Sequence, residues 1–185
     1  MMNKTITLGA KKIALVSAMT ATIVAGKFVL SSIPNVEVVT LLCASYGYVF
    51  GAMGLLAVSL FVLVESFIYG INSWILTYVI YWNLVCLIFW ILAKSKVKNT
   101  PIIVLIAVVS TTFFGVLSSL VDVGLFGGIG NDFWNRFAIY YVRGTVFYII
   151  QIVCNVILFA FAFKPFINLL NKLKDRYFSR EKNKT

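Results

Sequence analysis

Long apolar runs separated by short polar or glycine-rich gaps dominate this sequence. A bilayer's hydrocarbon core is about 30 Å thick, so a spanning helix needs about 20 mostly apolar residues. Six runs qualify, approximately 13–30, 36–50, 55–69, 74–93, 101–126 and 137–163. Ser31, Ser32 and Pro34 stop the first. Gly70, Asn72 and Ser73 precede the fourth, and Pro101 suits the first turn of the fifth. The glycine- and asparagine-rich stretch 127–135 reads as a loop, and Pro165 ends the sixth run. Runs two and three are short. They read either as one long helix bent at Gly51 to Gly54 or, more simply, as a hairpin turning at the membrane surface.

Composition excludes a soluble globule. Of 185 residues, 61% are hydrophobic and only 12% charged, whereas soluble domains carry about 25% charged residues. Such a chain in water would expose far too much apolar surface. The fold class predicted is an all-α integral membrane protein: a six-transmembrane-helix bundle over 1–171, then a basic tail over 172–185 that lies on the membrane surface or is disordered.

The net charge of +10 does not point to nucleic acid. Its lysines and arginines cluster at Lys4, Lys11 and Lys12, at Lys94, Lys96 and Lys98, and from Lys164 to Lys184, in the gaps and at the ends. Arg136 is the one basic residue in the opposite loops. By the positive-inside rule both termini face the cytoplasm, which agrees with an even number of spans. The basic groups can also meet anionic membrane lipid. A signal-peptide reading of the first run lacks a small-residue cleavage site, and Lys27 follows its apolar stretch.

Catalytic chemistry has little to stand on. The chain has no histidine, so no Ser–His or Cys–His pair exists. It has no Walker loop and no paired carboxylates for acid–base work. Cys43, Cys86 and Cys154 are scattered through apolar runs, which fits neither a metal site nor a disulfide framework. No cofactor is expected, and the chain does not read as an enzyme.

Ionisable and amide groups inside spans are costly and mark function by default. They are Lys27, Glu37, Glu65, Asp122, Arg143, Gln151 and Asn155, most of them in the outer half. Trp74, Tyr78, Tyr81, Trp82, Trp134, Tyr140 and Tyr141 lie near the same level. Aromatic walls with a few polar groups suit a small-molecule pocket, although tryptophan and tyrosine also populate any membrane interface. Arg143 needs a partner such as Asp122 or Glu65. An acidic ligand would favour Arg143 and Lys27; a cationic one would favour Glu37 and Asp122. In run one, Ala14, Ala18, Ala21 and Ala25 form a stripe of small residues that lets another helix approach, whether from this chain or another.

Several of these segments resemble the S components of energy-coupling-factor transporters. Ala14-Leu-Val-Ser-Ala18 is similar to that family's alanine motif. Ile33-Pro34-Asn35-Val36-Glu37-Val38-Val39-Thr40 is similar to its Pro-Asn-Val-Glu-Pro-Val-Thr segment. Tyr141-Val-Arg143-Gly144, with Phe147, Gln151 and Asn155, looks like the opening of its last helix. Val38 replaces the usual proline, the turn Gly51 to Gly54 lacks a basic residue, and Gln151 stands where many relatives carry histidine. The resemblance implies a multi-pass protein of a bacterial plasma membrane that binds a vitamin or related micronutrient from outside. It implies partnership with a transmembrane coupling subunit and two ATP-binding-cassette ATPases, which hydrolyse the ATP. In that picture Asn35, Glu37, Arg143, Gln151 and Asn155 contact substrate, followed by Glu65, Trp82 and Asp122, while Ala14 and Ala18 dock the coupling subunit. The competing readings are a secondary transporter using Glu65 or Asp122 as a proton-coupling carboxylate, and a non-transporting membrane scaffold.

Overall fold

The computed structural model describes residues 2–179, with side chains for 9–178. The helices in chain order are α1 (Met2–Leu30), α2 (Val39–Phe50), α3 (Ala52–Tyr69), α4 (Ser73–Lys94), α5 (Thr100–Gly127) and α6 (Phe133–Ile157). A π-helical turn, Leu158–Ala162, then leads without a break into α7 (Phe163–Ser179). Five of these rods are long and apolar enough to cross a membrane, counting α6 to α7 as one. This is the architecture of a multi-pass helical membrane protein.

The exception is α2, with 12 residues. At 1.5 Å per residue it reaches about 18 Å, well short of a bilayer core. It does not need to meet lipid, because every residue in it except Tyr48 is buried. Helices α1, α3, α4 and α7 pack around it. Two glycines make this possible. Gly51 adopts φ +57°, a left-handed conformation that lets α2 turn into α3 in a single residue. This settles the second and third runs as a hairpin. At Gly47 a Cβ would sit 2.1 Å from the carbonyl oxygen of Cys86, so α2 and α4 touch backbone to backbone.

Helix α1 buries Val16, Met19, Thr20 and Ile23, spaced for one face of a helix. That face packs on α3, where the Thr20 hydroxyl donates to the Ala57 carbonyl at 3.0 Å. The alanines Ala14, Ala18, Ala21 and Ala25 point the other way and are exposed. The stripe therefore does not serve this chain's own packing.

Local signals explain most helix ends. The Asn72 side chain accepts from the Ile75 N–H at 3.2 Å and caps α4. Pro101 sits in the first turn of α5, and Gly128 ends that helix at φ +66°. Arg136 donates to the carbonyls of Gly127 and Gly128, tying the last turn of α5 to α6. Thus α6 starts at Phe133, four residues before the expected start, inside the stretch read as a loop.

The largest departure from expectation lies at Pro165, which does not end the last helix. Proline cannot donate to the carbonyl four residues back, here Phe161, and its ring crowds that carbonyl. The helix widens just before it: Phe163 N–H bonds to the Leu158 carbonyl, a five-residue step. Phe159 and Phe163 then stack fully buried against Phe89, with centroids 5.3–5.4 Å apart. Residues 172–179 of the expected tail continue as α7 rather than lying free. Lys174 reaches the Val49 carbonyl at 2.7 Å, and Tyr177 donates to the Lys11 carbonyl at 3.1 Å. The remainder of that tail, 180–185, lies outside the described residues.

Gly47→Ala should destabilise the bundle by about 2 kcal/mol or more, since the added methyl meets backbone that cannot move aside. Gly124→Ala, whose Cβ would have nothing within 4 Å, should be neutral or slightly stabilising. The fraction of monodisperse protein surviving a heat ramp in detergent measures both.

Candidate functional site

The polar residues of the spans sort into two clusters and a remainder. Both clusters lie toward the end of the bundle opposite the basic loops.

Glu37 organises the first. It sits in the connection from α1 to α2, where Asn35 takes φ +58°, a conformation asparagine tolerates better than most residues. That turn brings the Glu37 carboxylate over the start of α2, where Oε2 accepts the Thr40 N–H at 2.8 Å. The Thr40 hydroxyl donates to Oε1. So Glu37 caps α2, and the positive end of the helix dipole favours its charge. A third donor comes from the far end of the sequence: Asn155 Nδ2 on α6 reaches Glu37 Oε1 at 3.1 Å. The same amide donates to Thr111 Oγ1 on α5 at 3.1 Å. The Thr111 hydroxyl proton is already spent on the Ala107 carbonyl at 2.8 Å. Thr111 can therefore only accept from Asn155, which fixes the amide's orientation.

This network leaves buried polar atoms without partners. Asn155 Oδ1, Gln151 Oε1, the Tyr81 hydroxyl and Trp82 Nε1 are all buried and unbonded. Gln151 lies one turn before Asn155 on the same face of α6, and these two are the buried residues of that helix. Tyr81 lies beside Thr40, Thr111 and Glu37. An unpaired buried polar group costs about 1–3 kcal/mol, and native structures keep few of them. Asn155 Oδ1 and the Tyr81 hydroxyl beside this carboxylate, with Gln151 one turn and Trp82 one residue away, have the character of a binding site for a ligand's polar groups.

The second cluster is Lys27 on α1 with Glu65 on α3. Their side chains form an ion pair, with Lys27 22% exposed and Glu65 2%. The Lys27 ammonium also lies over three rings: Tyr69 at 4.9 Å, Trp74 at 5.1 Å and Tyr78 at 4.9 Å. An aromatic face attracts a cation, so this is an aromatic cage already filled by the chain's own lysine. The rings continue towards Glu37. Tyr78 meets Trp82 at 5.7 Å, and Trp82 meets Tyr81 at 4.6 Å and Phe114 at 6.2 Å. An aromatic wall thus connects the two clusters.

The sequence-predicted residues divide accordingly. Glu37 and Asn155 are hydrogen-bonded to each other, and Gln151 and Trp82 are buried. Glu65 is buried but spent on Lys27. Asn35 is half-buried and shapes the turn. Asp122 is half-buried further along α5. Arg143 is exposed, and the expected pairing with Asp122 or Glu65 does not form. Ala14 and Ala18 are exposed on α1. Thr111 and Tyr69 were not foreseen, and Trp74 and Tyr78, read as pocket-wall aromatics, instead hold Lys27. A cleft of about 730 Å³ lies elsewhere, between α1, α2 and α7. Its walls, including Leu15, Met19, Phe50 and Leu173, are mainly apolar. None of its lining residues carries an unpartnered buried polar atom, so it lacks the chemistry of the Glu37 site.

Lys27→Met leaves the Glu65 carboxylate buried and unpaired, which should cost about 3 kcal/mol. That is the lower end for such pairs, because water reaches part of Lys27. Adding Glu65→Leu should recover most of the loss. Thermal unfolding of the single and double variants tests this.

No protein-family model, no curated protein and no solved structure matches this chain.

Proposed function

We propose that this chain is the substrate-binding subunit of an energy-coupling-factor importer for a vitamin or related micronutrient. One observation carries the reading: converging unpartnered polar atoms around Glu37 and Asn155, beside an aromatic wall, at the end opposite the basic loops. With those basic loops and both termini in the cytoplasm of a bacterial cell, the site faces the medium. Small-molecule sites combine apolar walls with a few placed polar groups in this way.

The outward alanine stripe supports the coupling half of the reading. Ala14, Ala18, Ala21 and Ala25 are exposed. Ala21 and Ala25 edge an apolar groove of about 580 Å³ with Phe28, Leu60 and Val64. Helices in lipid associate through close backbone approach at small residues. A transmembrane coupling subunit would use this face and connect the chain to two ATP-binding-cassette ATPases. ATP hydrolysis belongs to those partners.

Because Ala18 is exposed, the isolated chain should tolerate Ala18→Trp. This variant should lose roughly tenfold or more of its copurification with the coupling subunit while binding substrate normally. Normal copurification and transport by Ala18→Trp would defeat the docking assignment.

A further inference from the structure

The hydrogen-bond inventory at Glu37 constrains the ligand's charge. We propose that this site selects a ring-bearing ligand with a positive charge or amine N–H donors, and discriminates against carboxylates. The inference rests on reading the chain as a substrate-binding subunit, and it adds the chemical class.

Both amide hydrogens of Asn155 are committed, one to Glu37 and one to Thr111, so its unpartnered Oδ1 can only accept. Gln151 Oε1, one turn away, is likewise a buried acceptor without a donor. Glu37 holds three donors, while an ionised carboxylate offers about four lone-pair sites. Against these acceptors stand Trp82 Nε1–H and the Gln151 amide N–H groups, which can only donate, and the Tyr81 hydroxyl, which can do either. The two fully buried amide oxygens, Asn155 Oδ1 and Gln151 Oε1, ask for donors.

Charge points the same way. Among the described residues no basic side chain is ion-paired with Glu37. Lys27 is neutralised by Glu65. Arg136 is bonded to the carbonyls that end α5, and Arg143 is exposed. Asp122 adds a second acidic group further out on α5. The nearby aromatic wall presents ring faces, and at Lys27 the same wall already holds an ammonium at 4.9–5.1 Å from three rings. A carboxylate entering here would meet acceptors and a like charge; an amine or ring cation would meet partners.

A matched series isolates charge from shape: 3-(aminomethyl)pyridine as the cation, nicotinamide as the neutral form and nicotinate as the anion. Their affinities for the full chain in lipid nanodiscs can be ranked by tryptophan quenching. The cation should bind roughly tenfold or more tightly than nicotinate, the scale of one charge-assisted hydrogen bond. Glu37→Gln keeps the side-chain size and the acceptor for Thr40 N–H, and should erase most of that preference. Gln151→Glu, adding a carboxylate where no cap depends on it, should widen it. Tightest binding of nicotinate, or an unchanged ranking in both variants, overturns the charge assignment and leaves the binding-subunit reading standing. No binding of any probe, together with native preparations carrying no small molecule, overturns both.

Discussion

A carboxylate inside a membrane protein needs donors, and Glu37 takes its donors from helices far apart in the sequence. Thr40 supplies two at the start of α2, and Asn155 supplies the third from α6. Through Asn155 the same network reaches Thr111 on α5. Helix α6 otherwise packs chiefly on α5 and on the π turn that follows it. This polar junction is therefore what joins the α5–α6 hairpin to the α1–α2 connection at that level. The helix dipole of α2 stabilises the charge, and the geometry that satisfies Glu37 leaves Asn155 Oδ1 without a partner. Structural need and binding capacity arise from one arrangement.

The short central helix makes that arrangement possible. Because α2 ends far short of a bilayer's thickness, its first turn lies within the bundle rather than at its rim. Neighbouring helices shield it from lipid, so its N-terminal donors can be aimed at a side chain instead of at water. The tight turn at Gly51 and the close approach at Gly47 hold it at that depth. Below it, the stacked phenylalanines around the π turn and the contact of Lys174 with the end of α2 close the other side.

Much of this was legible in the sequence because hydrophobic runs and breaker residues act locally. The five long apolar helices, the break before α4 at Gly70 to Ser73 and the α5 start at Pro101 follow from that logic, whereas the second run forms a helix too short to span. The continuation past Pro165 did not, because a π turn is a tertiary accommodation supported by the packing of Phe89, Phe159 and Phe163. Within the site, Glu37, Gln151 and Asn155 stood out as polar groups in apolar runs. Thr111 did not stand out beside Thr112. Both hydroxyls bond the carbonyl four residues back, yet one is buried against Asn155 and the other is exposed. A rotation of about 100° between neighbouring residues separates them, and only packing fixes its phase. For the same reason Arg143, a strong candidate by residue type, lies on the exposed side of α6, while Lys27 finds Glu65.

Native mass spectrometry of the chain, extracted gently from its own membranes after growth in rich medium, tests the central claim most directly. The account predicts a complex carrying one small molecule on this chain together with a coupling protein and two ATPase subunits. A chain that emerges alone, without small molecule or partner subunits, would contradict it.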